Sequence, residues 1–234
     1  MLDQAFEALK TYDWGQDRNV LKPIDEAVVA AHGDDAGRSE LESRLIDVLK
    51  TEVSFDAKQF VCRQLMRIGT AASVPTLADL LPDPQLSHMA RYALERIPGA
   101  EAGNALRDAL SKVEDDQKIG VIASLGVRGE ADSVVPLQAL LSDNSPAVAR
   151  ATAHALGAIR GSDAAQALSS AEPTAETKST FADATLACAE SLLAEGNRIA
   201  ALTIYKRLLG SDPQQHVRVA ATRGMLACAG KQKN

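Results

Sequence analysis

The sequence predicts an all-α fold, a right-handed α-solenoid of stacked antiparallel helix pairs. Two series of leucines carry this prediction: Leu65, Leu94, Leu125 and Leu156 form the first, and Leu77, Leu106, Leu137 and Leu168 form the second. Each series advances by 29, 31 and 31 residues. A fixed period containing helix-length segments is typical of units that bury their apolar faces only by stacking on neighbours.

The composition supports the same fold and excludes two classes of partner. Apolar residues make up 46% of the chain but aromatic residues only 3%, and Ala and Leu, which dominate the apolar set, are strong helix formers. The net charge of −6 argues against binding of nucleic acid, which requires a basic surface. No apolar run approaches the roughly twenty residues that span a bilayer, so we expect no membrane insertion.

The N-terminus and the cysteines bear on location. Asp3, Glu7 and Lys10 interrupt the segment where a signal peptide would need an apolar stretch. We therefore expect a cytoplasmic protein by default, with an extracytoplasmic location as the alternative if a leader was removed. The three cysteines are too scattered for a disulfide framework or a zinc site, and we expect them to act as small packing residues.

Residues 1–38 are predicted to form an N-terminal helical cap. Leu2–Tyr12 is predicted to be an amphipathic helix, and Pro23 with the acidic residues after it begins a second helix that ends near Gly33. Terminal units of an array have one face in water and are therefore atypical. We expect three aromatic residues of this segment to cover the exposed end of the stack, namely Phe6, Tyr12 and Trp14.

Residues 39–171 are predicted to form the repeats. Their first pair is expected at Ser39–Lys50 and Phe55–Ile68, with Ser39 as N-cap and Glu42 completing a capping box. A later helix has apolar residues spaced by three and four, which predicts one buried stripe: Val148, Ala151, Ala155 and Ile159. Prolines early in helices and glycines at their ends mark the boundaries, namely Pro75, Pro136, Gly129 and Gly161.

Residues 172–234 are predicted to form the C-terminal helical repeats. A loop at Ser170–Lys178 is followed by two longer helices joined at Gly196-Asn197, and one final helix closes the array. The helices are predicted at Phe181–Glu195, Arg198–Leu209 and Gln215–Ala229. We expect residues 231–234 to fray.

The repeats resemble HEAT repeats, in particular the short HEAT-like class also found in phycobilin lyase subunits. DNSPAVARATAHALGAI at Asp143–Ile159 and QQHVRVAATRGML at Gln214–Leu226 carry the resemblance, since both are similar to the turn, Val, Arg and Ala-rich helix of that family. The stretch Thr185–Pro213 also resembles one tetratricopeptide unit, with Ala201 and Tyr205 at that family's spacing. Both resemblances imply stacked helical hairpins. The whole chain also resembles HEAT-like modules that accompany sugar-active or extracytoplasmic domains in some bacterial multidomain proteins, and that resemblance implies an adaptor role.

The sequence contains no recognisable catalytic motif. Gly224–Lys231 is similar to a phosphate-binding loop but has five residues between its glycines, and Gln232 replaces the required Ser or Thr. The four histidines are isolated from one another, and the acidic pairs Asp34-Asp35 and Asp115-Asp116 lie where helices begin, which favours capping. We therefore predict no catalytic, cofactor-binding or metal-binding residues, and no enzymatic activity.

A candidate partner-binding surface comes from aligning the second helices on the recurring leucine. Two equivalent positions of these helices lie outside the apolar stripe and are occupied by several basic and amphipathic side chains. These are Arg63, His88, Tyr92, Arg150, His154 and Arg223. Second helices commonly line the concave side of such arrays, and cationic groups in an anionic protein favour an acidic peptide. Ordinary solvated helix positions remain the alternative interpretation.

The sequence thus predicts a monomeric, non-enzymatic scaffold or adaptor module that binds a partner protein or sister domain. The alternative is an accessory protein of lyase-like or cofactor-handling type that binds a small acidic ligand. In that case Tyr92, His88 and His154 would line the ligand pocket.

Overall fold

The structure is a computed structural model that describes residues 1–211 and 213–230, apart from the side chain of Asp115. Fourteen α-helices and three short 3-10 helices occur in this part of the chain, with no β-strand. The α-helices are α1 (Leu2–Lys10), α2 (Lys22–Ala30), α3 (Asp35–Leu49), α4 (Phe55–Ile68), α5 (Val74–Ala78), α6 (Ser87–Arg96), α7 (Ala100–Ala109), α8 (Asp115–Arg128), α9 (Val134–Gln138), α10 (Pro146–Ile159), α11 (Gly161–Ser170), α12 (Lys178–Ala194), α13 (Arg198–Gly210) and α14 (Gln215–Ala229). The all-α prediction is confirmed, while the predicted fraying of residues 231–234 lies outside the described residues.

The helices are grouped in two compact units, Met1–Val121 and the described residues from Ile122 on. In the first unit α3 packs on α4, α4 on α6, and α5 on α7. In the second unit α12 packs on α10, α11, α13 and α14. Helices therefore stack on helices from neighbouring pairs, as a repeat array requires. The right-handed superhelix and the division at residues 38 and 171 stay predictions.

The recurring leucines form the core of this stacking. All eight members of the two series are buried, with at most 3% of each side chain exposed. The short helices α5 and α9 each follow a 3-10 turn and have proline in their first turn, Pro75 as the second residue and Pro136 as the third. Proline is favourable there because its missing N–H has no intrahelical partner to lose.

The first repeat helix begins earlier than the sequence predicts. α3 starts at Asp35 instead of after Ser39, because Asp34 caps it by accepting a hydrogen bond from the backbone N–H of Gly37 at 3.1 Å. Asp is as good an N-cap as Ser, and the earlier start adds a full turn of backbone hydrogen bonds. The predicted capping box at Ser39 and Glu42 is therefore wrong.

Glu42 instead joins two consecutive helix pairs. Its carboxylate is 3% exposed and accepts hydrogen bonds from the backbone N–H of Thr70 at 2.6 Å and from the Ser73 hydroxyl at 2.5 Å. The Thr70 hydroxyl adds a third, at 2.9 Å from Oε2. A buried carboxylate is tolerated only when such donors surround it, so Glu42 ties α3 to the 3-10 turn Ala71–Ser73.

Glu42→Ala is expected to lower the free energy of unfolding by about 1–3 kcal/mol, because it leaves buried donors without an acceptor. The urea midpoint of the variant measures this loss. Glu40→Ala, at an exposed position of the same helix, is the matched control and should change the midpoint little. Equal midpoints for the two variants would contradict the role assigned to Glu42.

The N-terminal cap packs differently from the prediction. Phe6 is buried under the guanidinium of Arg44, whose Cζ lies 4.0 Å from the ring centroid. Ser54 donates to the carbonyl oxygen of Tyr12 at 2.5 Å and caps α4, so the segment is anchored to the first repeat. Trp14, in contrast, is 87% exposed. The expectation that it covers the end of the stack is therefore wrong, because the turn carrying it points the indole into solvent.

Two glycines allow helices of the second unit to approach closely. A Cβ atom added at Gly126 would lie 2.8 Å from the Cα atom of Ala155, and one added at Gly157 would lie 2.8 Å from the Cα atom of Ala184. Any side chain larger than hydrogen would thus overlap the facing backbone. The packing of α8 on α10, and of α10 on α12, depends on these Gly–Ala contacts.

The last three helices form a tight cluster. Asn197 caps α13 by accepting from the N–H of Ala200, after a turn in which Gly196 has φ +84°. The ring of Tyr205, 1% exposed, lies over Gly224 of α14, where any Cβ atom would overlap it. The predicted hairpin is thus present, while its assignment to the tetratricopeptide family stays a prediction.

Candidate functional site

In the first unit the candidate surface consists of Arg63 on α4 and of His88 and Tyr92 on α6. The Arg63 side chain is exposed, and its Nη2 donates to Oε1 of Gln59 at 3.2 Å. The His88 and Tyr92 rings meet edge to face, with centroids 6.4 Å apart and planes at 77°. Because α4 packs on α6, this unit presents the three side chains from adjoining helices.

In the second unit the candidate residues are Arg150 and His154 on α10 and Arg223 on α14. Arg150 is half-buried, whereas His154 and Arg223 are exposed. Helix α12 packs against both α10 and α14 and contributes no predicted member. The six candidates therefore lie in two groups, one in each unit, and within the second unit they lie on helices separated by α12.

Arg91 is a charged residue of α6 beside His88 and Tyr92 that is not among the residues predicted from the sequence. Its Nη1 donates to the carbonyl oxygen of Gly120 at 3.0 Å, and a Cβ atom at Gly120 would overlap the guanidinium. Burial lowers the pKa of the Arg91 guanidinium, while the nearby Glu95 carboxylate acts in the opposite direction. Arg91 therefore fixes α6 against α8. The small residue Gly120 leaves room for the guanidinium and is the feature of the sequence that could have indicated this contact.

A pocket of about 350 Å³ lies in the second unit among α11, α12, α13 and the loops that join them. Among the described residues, the charged ones that line it are Lys178 and Arg207, and Arg207 also donates to the carbonyl oxygen of Ser169. Small-molecule sites have volumes of roughly 300–1,000 Å³. The apolar lining includes Leu168, Phe181, Leu208 and Pro213. His88, Tyr92 and His154, which the sequence offered as pocket residues, do not line this pocket.

The cysteines are suited to packing. Burial raises the pKa of the Cys62 thiol to about 12 and that of the Cys188 thiol to about 11, so both stay protonated at neutral pH. Cys188 meets the preceding repeat, with Sγ 3.9 Å from the carbonyl oxygen of Leu156. Cys228 is half-buried, and all three are free thiols.

Across residues 1–211 and 213–230, no group of three or more His, Cys, Asp or Glu side chains is arranged to hold a metal ion. Over the same residues, no helix combines the length and the apolar character needed to cross a bilayer.

The family of the chain follows from the repeat geometry together with a sequence comparison. A family model for HEAT repeats matches residues 105–187, which run from the middle of α7 into α12. Residues 105–187 are therefore HEAT repeats. The match covers the region where Leu106, Leu125, Leu137, Leu156 and Leu168 recur, so the sequence resemblance is confirmed there. Helices outside the match also pack on helices of neighbouring pairs.

Solved structures give weaker likenesses. Two engineered proteins are each 18% identical to the HEAT-like chain; one matches 80% of this chain and 96% of its own with a TM-score of 0.45, the other 98% and 68% with a TM-score of 0.47. Human deoxyhypusine hydroxylase in complex with glycerol is 15% identical, with coverages of 98% and 96% and a TM-score of 0.39. No curated protein matches the sequence significantly.

Proposed function

We propose that this HEAT-like protein is a non-enzymatic scaffold or adaptor that binds a partner protein or sister domain. The observation that carries the proposal is the set of basic and aromatic side chains that α4 and α6 present in the first unit and α10 and α14 in the second. Within the described part of the chain, none of Arg63, Arg150 and Arg223 forms an ion pair. Their charges are available to an incoming group.

An acidic segment is the ligand that these side chains favour. Guanidinium groups present planar pairs of donors that match a carboxylate, and they are more weakly hydrated than ammonium groups. The Tyr92 and His88 rings add apolar area beside polar atoms, a combination that is enriched at protein interfaces. In a chain with net charge −6, the cations in each of the two groups would also steer acidic partners toward that group.

Charge reversal tests this proposal. A variant with Arg63→Glu, Arg150→Glu and Arg223→Glu is expected to lose a partner that the wild type captures from lysate of the source organism, because carboxylates would then oppose carboxylates. Captured proteins are compared by quantitative mass spectrometry. Separate reversal of Arg63 and of the other two arginines assigns the loss to one unit.

The matched control reverses the same number of charges away from the candidate surface, at Arg96, Lys112 and Lys206, all of which are exposed. Both triple variants should keep the wild-type thermal midpoint within a few degrees, since surface changes usually cost little. Equal capture by the two variants would contradict the assignment of the interface.

The 350 Å³ pocket supports a second candidate function, the binding of a small acidic ligand. Lys178 at its lining would meet the anionic group, and Leu168 and Phe181 would pack on an apolar portion. A ligand that binds only the folded state raises its stability by mass action. A clear rise of the thermal midpoint with a small carboxylate, abolished by Lys178→Glu, would favour this candidate over the scaffold.

A further inference from the structure

Helix α14 carries apolar side chains on two opposite faces. Val217, Ala221 and Gly224 are buried, on the side where α14 packs on α12 and α13. Val219 and Leu226 are 45% and 64% exposed. Because successive residues of a helix are rotated by about 100°, Val219 and Leu226 lie on the side opposite the buried residues. A helix with two apolar faces is typical of the interior of a stack, where both are covered.

The exposed side of α14 also carries a positive charge. Within Gln215–Ala229 there are two arginines, Arg218 and Arg223, and no Asp or Glu. Arg223 lies between Val219 and Leu226 along the helix and is exposed. Among the described residues it has no hydrogen bond or ion pair. We refer to Val219, Arg223 and Leu226 as the outer stripe of α14.

We propose that the outer stripe of α14 binds an acidic amphipathic helix of a partner protein. Val219 and Leu226 are seven positions apart, about 10.5 Å along the helix, which is the repeat of a helix–helix seam. Apolar side chains of the incoming helix would pack on these two residues, and carboxylates beside them would pair with Arg223. The inference rests on the proposed scaffold function and names the class of partner for one of its surfaces.

A second copy of the chain fits the outer stripe less well. In a twofold dimer through α14 the Arg223 side chains of the two copies would approach each other, and like charges oppose such contacts. The first helix of another copy offers no apolar outer face, because the exposed residues of α1 include Asp3, Glu7 and Lys10. An acidic helix from a different protein satisfies both the apolar and the charged parts of the stripe.

The test uses two synthetic fluorescent peptides of about three heptads with leucine at two positions of each heptad. One has Glu at the flanking positions and the other has Lys. Fluorescence anisotropy with the full chain is expected to show binding of the Glu peptide and at least roughly tenfold weaker binding of the Lys peptide. Leu226→Gln should weaken binding of the Glu peptide by roughly tenfold or more, as truncation of a central contact does.

Three further variants make the result specific. Val135→Gln changes a residue that is 76% exposed on α9 and should leave binding of the Glu peptide unchanged. Arg223→Glu should reverse the preference between the two peptides, whereas Arg63→Glu should not. Thermal midpoints near that of the wild type show that Leu226→Gln acts on binding, which is expected because Leu226 is mostly exposed.

Several outcomes would overturn the proposal. Equal binding of both peptides, or equal effects of Leu226→Gln and Val135→Gln, would remove the outer stripe as the site. If sedimentation showed concentration-dependent dimers of the wild type, and Leu226→Gln dissociated them, a second copy of the chain would be the occupant of the outer stripe. Tighter binding to equimolar phosphatidylcholine–phosphatidylserine vesicles than to the Glu peptide would make it a membrane contact. Partner loss in the charge-reversal capture, with no peptide binding, would refute this inference and leave the scaffold function standing.

Discussion

Leu125→Ala is expected to lower the free energy of unfolding by about 2–5 kcal/mol, the range for a leucine truncated in a close-packed core. Leu125 belongs to the series that repeats through the array and is completely buried. Replacing its isobutyl group by a methyl group loses the transfer free energy of the removed carbon atoms and leaves a cavity that neighbouring helices fill only in part. Urea unfolding monitored by circular dichroism gives the loss as a lower midpoint.

Val127→Ala is the matched control for Leu125→Ala because Val127 lies two residues along the same helix and is 66% exposed. Alanine has a higher helix propensity than valine, and the replacement removes little buried surface. The free energy of unfolding should therefore change by no more than about 0.5 kcal/mol. Similar losses for both variants would show that the recurring leucine does not form the core between the helices.

Tyr205→Ala is expected to cost about 3–5 kcal/mol, as truncation of a large buried aromatic side chain does. Its ring fills the space that Gly224 leaves open between α13 and α14. The phenol is also held in its neutral form, since burial, followed by the nearby Glu190 and Cys228, raises the pKa of Tyr205 to about 12. The free energy of unfolding at neutral pH, from urea titration, measures the cost.

Two companion variants separate the ring of Tyr205 from its hydroxyl. Tyr205→Phe keeps the ring and should cost no more than about 1.5 kcal/mol. Gly224→Ala puts a methyl group into the ring and should be destabilising by about 1–3 kcal/mol through overpacking. If Tyr205→Phe were as costly as Tyr205→Ala, the hydroxyl and not the ring would be the stabilising group.

The stacked helical fold could be predicted because leucines that recur about every thirty residues mark the buried position of each unit. The boundary of α3 could not, since Asp34 and Ser39 are both good N-caps and only the placement of Glu42 under Thr70 and Ser73 distinguishes them. That contact joins residues 28 and 31 positions apart. Local sequence rules contain no information on such a pairing.

The candidate surface could be predicted only in part. Exposure of Arg63, Tyr92 and Arg223 follows from their positions off the apolar stripe. The separation of Arg150 from Arg223 by α12 could not be predicted in this way. The residue of α12 that contacts Leu156 is Cys188, so the recurring leucine does not identify α12 as a member of the series. The outer stripe of α14 also needed the structure, since only burial distinguishes its two apolar faces.

The contacts of Gly126 with Ala155 and of Gly157 with Ala184 have a thermodynamic consequence. Neither residue type has a side-chain rotamer to immobilise, so these two contacts form with almost no loss of side-chain conformational entropy. Their stabilisation comes from dispersion between backbones at short range, which falls steeply when the gap widens. A small shift of α10 along its own axis should therefore weaken both contacts together, because Ala155 and Gly157 lie on the same helix.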